Sequence, residues 1–127
     1  MPFQLALETD AAESSLRTLR GALMLACEDP DQFQQILDEY RDAYRPLNPI
    51  ERDLVEDMFA AAWRIRRIKM IETALINNEM VDPDTPIALA LRALADPSRA
   101  LALITRYESN LNRILRRSHQ TLLDLRR

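Results

Sequence analysis

Residues 49–79 carry an apolar repeat that suits only a long helix. Leu54, Met58, Ala61, Ile65, Ile68 and Leu75 follow one another in steps of four and three, with a break at Glu72. Val55, Phe59, Ala62 and Ile71 widen the stripe. At 1.5 Å per residue, roughly 30 residues make a rod of about 45 Å. A compact chain of 127 residues has a diameter of only about 35 Å. The rod is longer than the ball, so the spacing predicts an elongated molecule or a rod that projects into a partner.

Proline and capping residues mark the other elements. Asp29-Pro30-Asp31-Gln32 reads as an N-cap, a proline in the first helical position and a glutamine at the third. Asn48-Pro49-Ile50-Glu51 repeats the pattern with a glutamate, and Thr85-Pro86 and Asp96-Pro97 mark two further starts. The first of these helices spans about 30–44, with Phe33, Ile36, Leu37, Tyr40 and Tyr44 at helical spacing, and Arg45-Pro46 ends it. Val81 to Pro86 predicts a proline-stiffened turn, followed by a short helix over about 86–95 with Ile87, Leu91 and Leu94 on one side. The last helix covers about 97–126 on Leu101, Ile104, Leu111, Leu115, Ser118, Leu122 and Leu125, with a break at Glu108. Ala11–Leu25 can be one helix through Gly21, at a cost of up to about 1 kcal/mol. The alternative ends a helix near Arg20 with Gly21 as a left-handed cap. The continuous helix is the preferred reading, and residues 1–10 are expected to be a flexible or loosely packed arm.

Two long amphipathic helices of matched length, joined by about 17 residues, should fold back on each other. The expected architecture is therefore a single all-α domain over 1–127. It is an elongated helical bundle built on a long antiparallel hairpin, about 49–79 and 97–126, with shorter N-terminal helices. If the hairpin turns near residue 88, partners across it have numbers that sum to roughly 177. Glu51, Asp53, Glu56 and Asp57 then lie beside Arg126 and Arg127, and Arg64, Arg66, Arg67 and Lys69 beside Arg113, Arg116 and Arg117.

That cationic level matters because the charge is uneven. Residues 1–60 carry 13 acidic residues against 5 arginines, a net of −8, whereas residues 61–127 carry 7 against 12 basic residues, a net of +5. Eleven of those twelve are arginine, whose planar fork suits phosphate and carboxylate. Seven cations at one height repel one another, so the face either stays solvated and uncovered or receives an anionic cover. Asp38, Glu39 and Asp42 of the 30–44 helix could supply it, or a nucleic-acid backbone could. Trp63 and Tyr107 flank the patch. Trp63 could stack on bases, but packing against the N-terminal helices is the preferred reading for so large an aromatic.

Much chemistry is missing. The one glycine argues against glycine-rich phosphate loops. The one cysteine, Cys27, excludes an internal disulfide framework and lies before Glu28 and Asp29, which would raise its pKa rather than activate it. The one histidine, His119, excludes paired-histidine metal sites and has no carboxylate at the Glu-x-x-His offset; it is expected to be partly exposed. Asp53, Glu56 and Asp57 come closest to a magnesium cluster, but they face basic residues across the hairpin. No run is apolar enough for a membrane span, and no secretory leader is evident, so a cytoplasmic protein is expected.

Several stretches are similar to one bacterial family. Glu28-Asp29-Pro30-Asp31-Gln32-Phe33 resembles its Glu-Asp-Pro-x-x-Phe helix start, Tyr44-Arg45-Pro46 with Glu51, Leu54 and Val55 its next junction, and Ala61-Ala62-Trp63-Arg64-Ile65-Arg66-Arg67 its Trp-Arg-x-x-Arg stretch. Thr105-Arg106-Tyr107-Glu108-Ser109, then Leu111, Arg113, Arg117 and Leu122 to Arg127, resemble its C-terminal helix. The family consists of small all-helical proteins, often in many copies per genome. The resemblance covers about residues 17–127, implies the same fold and supplies no catalytic residues. Members usually begin with a basic segment ending in His-Gly-Leu; this chain has Arg20-Gly21-Ala22-Leu23 there. Multi-copy small genes suggest an association with mobile elements or defence.

Taken together, these features lead to the expectation of a non-enzymatic accessory subunit without a cofactor or metal. It would bind an RNA or DNA backbone, or a ribonucleoprotein, through phosphate contacts from Arg64, Arg67, Lys69, Arg113, Arg116 and Arg117. The rival expectation is a homo-oligomeric interaction module that uses spare apolar surface and pairs its arginines with carboxylates.

Overall fold

The computed structural model describes the backbone of residues 2–80, 86–89 and 100–127, and the side chains of 13–80, 86–89 and 102–127. Its four long helices are α1 (Pro2–Leu23), α2 (Pro30–Tyr44), α3 (Pro49–Glu79) and α4 (Ala100–Leu125). No strand occurs among the described residues.

Local chemistry sets the boundaries. The Asp29 carboxylate accepts the backbone N–H of Asp31 at 2.9 Å and Pro30 opens α2. With no glycine available to end that helix, Arg45 takes the left-handed conformation at φ 42°, and its N–H reaches the Arg41 carbonyl. Asn48 caps α3 reciprocally: its Oδ1 accepts from the Glu51 N–H at 2.9 Å and its Nδ2 donates to Glu51 Oε2 at 3.3 Å. Gly21 lies inside α1 without a positive φ, so the continuous helix is the correct reading. Residues 2–10 belong to the same helix. The turn over 81–85, most of the helix expected over 86–95 and the Asp96-Pro97 start lie outside the described residues; residues 87–89 are helical.

The hairpin forms in the anticipated antiparallel register. Val55 and Met58 enclose Leu122, while Ile65 and Ile68 enclose Leu111. At its open end the Arg126 guanidinium donates to buried Glu51 at 2.7 Å and to the carbonyls of Tyr44 and Arg45. Arg127 pairs instead with Asp124 on its own helix, and Glu56 with Arg41 of α2.

The N-terminal helices cover another face of α3. Leu23, Phe33, Leu37, Phe59 and Trp63 form one buried cluster, with Leu16 and Leu19 packed against it. Phe33 meets Phe59 and Trp63 edge-on at 4.9 and 5.1 Å. Trp63 is therefore a core residue. Tyr44 reaches α4, where its ring lies edge-on to half-exposed His119 at 5.7 Å.

Candidate interaction surface

The cations expected at one height of the hairpin do sit on α3 and α4, and those of α3 open onto three neighbouring grooves, Arg66 and Arg67 sharing one of about 400 Å³ with Glu28 and Ile71. Arg66 and Lys69 line an open groove of about 820 Å³ beside Ile36, Glu39 and Tyr40 of α2. Arg64 and Arg67 line a different groove, of about 370 Å³, beside Leu103, Ile104 and Tyr107 of α4. The physical reason is the helical period: neighbouring positions such as 66 and 67 point about 100° apart, so a run of cations spreads around the rod. On α4, Arg113, Arg116 and Arg117 are all exposed.

The arginines also differ in what they do. Arg67 is an internal strut. Its guanidinium donates to Glu28 Oε1 at 2.6 Å, to Glu28 Oε2 at 3.2 Å and to the Leu23 carbonyl, so it ties the α1–α2 connection to α3. Burial alone would raise the Glu28 carboxyl. The Arg67 bond, the Leu25 N–H at 2.6 Å, the Arg67 charge and the Trp63 indole outweigh burial and hold it below the usual glutamate range. The Arg67 guanidinium is thus engaged within the chain. The acidic cover expected from Asp38, Glu39 and Asp42 takes a different form: Glu28 supplies it, and for Arg67 only. Arg41, Arg126 and Arg127 are paired as well. By contrast, no described carboxylate lies within ion-pair distance of Arg64, Arg66, Lys69, Arg106, Arg113, Arg116 or Arg117.

The groove of Arg64 and Arg67 is otherwise apolar. Ile68, Ile71, Leu103, Ile104 and Tyr107 line it, and Ile71, Leu103 and Tyr107 are exposed. Solitary exposed apolar residues are ordinary, but several around one concavity make it a candidate interaction surface. Sequence reasoning missed this grouping because it placed Ile71 in the widened stripe of the long helix and read Tyr107 only as a neighbour of the arginine patch. Their offset from the seam residues Ile68 and Leu111 was the available signal.

Other chemistry is sparse. Cys27 is exposed, and no group of three metal-binding side chains occurs among the described residues. No described helix is long and apolar enough to cross a membrane. The chain matches no protein-family model, no curated protein and no solved structure.

Proposed function

We propose that the chain is a non-enzymatic protein-interaction module that works through the flank of the α3–α4 hairpin. One observation carries this reading: Ile71, Leu103 and Tyr107 are exposed around a single groove whose rim holds Arg64, which has no carboxylate partner among the described residues. Apolar anchors edged by guanidinium groups suit a protein surface better than a phosphate backbone, which offers the apolar groups nothing. The test is a photo-crosslinking amino acid placed at Leu103 and, as a control, at exposed Gln35 on α2. In cells, position 103 should yield a protein adduct and position 35 should not. If both positions stay free of adducts, the reading fails.

A second reading has its own support. Arg113, Arg116 and Arg117 are exposed within little more than one helical turn and have no carboxylate partner among the described residues, an arrangement suited to phosphate contacts from RNA or DNA. A mobility shift at low and moderate salt, with wild type and Arg113/Arg116/Arg117→Ala, tests it. Binding should weaken steeply with salt and drop in the variant. Absence of any shift at low salt would dispose of it.

A further inference from the structure

We infer that the partner on this flank is a second copy of the chain, docked antiparallel across a two-fold axis. The inference rests on the interaction reading above and goes further, because the flank is patterned along its length as its own complement.

On α3, Ile50, Asp53, Asp57, Arg64 and Ile71 follow one another in steps of three, four, seven and seven. Such steps keep side chains on one stripe, drifting only about 20° per heptad. The register of α4, fixed by Glu51 with Arg126 and by Ile65 and Ile68 with Leu111, brings a second stripe alongside. The shared groove of Arg64, Ile71, Leu103 and Tyr107 shows that the two stripes meet on the same flank.

From the open end of the hairpin inward, the flank reads apolar, acidic, basic, apolar. Ile50 and Leu125, 65% and 54% exposed, form the first band. Asp53 and Asp57 form the second. Arg64 forms the third. Ile71, Leu103 and Tyr107, at 44%, 60% and 51% exposure, form the fourth. Turned end for end, this order sets apolar against apolar and acid against base. An isologous interface demands that self-complementarity, whereas an unrelated partner would not need it.

The middle bands are uncompensated within one copy. Asp53 and Asp57 are exposed, have no cation within ion-pair distance among the described residues and lie one turn apart on the same face. Burial, together with the neighbouring Asp53 charge, pushes the Asp57 carboxyl up. Arg64 likewise has no carboxylate within ion-pair distance among the described residues. The pairing puts each set against the other. The stretch from Ile50 to Ile71 spans about 32 Å and two helices are about 20 Å across. The flank can therefore cover about 600 Å² per copy, at the lower end for a specific dimer. The expected dimer is concentration-dependent.

The experiment is sedimentation equilibrium on three purified full chains: wild type, an acidic variant Arg64→Glu and a basic variant Asp53→Lys/Asp57→Lys. Circular dichroism should report unchanged helicity, since Asp53 and Asp57 are exposed and Arg64 lies on the rim of an open groove. Wild type should pass from monomer to dimer over the micromolar range, and raised salt should weaken the dimer. Each variant alone should be monomeric, because like charges then meet at both junctions. An equimolar mixture of the two variants should restore a 1:1 dimer. A wild type that stays monomeric at several hundred micromolar overturns the inference, and so does a dimer that both variants retain. An adduct at position 103 with a different protein, seen alongside a monomeric wild type, would overturn the second-copy assignment and leave the interaction reading standing.

Discussion

Arg67 lies one turn beyond Trp63 on α3, and its surroundings decide what it can do. Glu28 takes up the guanidinium in a two-pronged contact, with the Leu23 carbonyl as a third acceptor. Both side chains of the pair are mostly shielded from water. Arg67→Met would leave a shielded carboxylate and a carbonyl without their donor. The expected loss is about 2–3 kcal/mol, at the low side for a broken buried pair because water still reaches it. In a thermal melt at neutral pH that is a fall of about 10 °C. The pH dependence has a definite sign. The folded-state pKa of Glu28 is lowered, so its contribution is present above the ordinary glutamate value and is lost as pH falls through the folded value. Melts between pH 7 and pH 3 should therefore show a steeper acid-side decline in wild type than in Glu28→Gln, and parallel curves would contradict the assignment. None of this could be read from the sequence. Glu28 and Arg67 are 39 positions apart, and their meeting depends on where α1 ends and how its connection turns. A row of arginines announces cations, but not which of them the chain itself will neutralise.

At the scale of the helix, the legible boundaries were those written by side chains that cap. Asp29-Pro30 and Asn48-Pro49 open α2 and α3 at the expected residues because a short polar acceptor followed by a fixed φ satisfies the first turn locally, whatever the tertiary context. α1 carries no such mark. Glu8 and Asp10 interrupt its apolar pattern, and its reach back to Pro2 was not anticipated. Gly21 was the ambiguous point. In α1 it has ordinary helical sign in φ, and a Cβ built on it would meet no heavy atom within 4 Å. Gly21→Ala should therefore stabilise the protein by about 0.5–1 kcal/mol, since alanine leaves fewer unfolded conformations to lose and adds no clash. The midpoint of a thermal melt should rise by about 2–4 °C. Were Gly21 instead a left-handed helix terminus, the same substitution would lower the midpoint, so the sign of the change alone distinguishes the two backbones.

Across the whole molecule, the N-terminal helices and the hairpin divide α3 between them unequally. Between Glu51 and Arg67 the helix packs against α4 on one side and the α1–α2 unit on the other. Beyond Arg67 its buried contacts are those to α4, through Ile68 with Leu111 and Ile104, while Met70 and Ala74 line only open grooves towards α2 and the α1–α2 connection. Two helices in contact bury one stripe each and leave the rest of their surface to water, which is why Met70, Ile71, Leu103 and Tyr107 are exposed there. Backbone hydrogen bonds in such a stretch open at a lower free energy than those in a three-sided core. Hydrogen exchange on dilute protein should then show the slowest amides within 54–65 and 111–122, and faster exchange over 70–79 and 102–108. Uniform protection along α3 would mean that the far end is as cooperatively held as the centre, against this division. Raising the concentration adds a discriminating arm. Docking of a second copy along the α3–α4 flank should slow exchange around Ile71 and Tyr107 and leave the α2 face unchanged, because Gln35 and Asp38 are exposed on α2 and line no part of that groove.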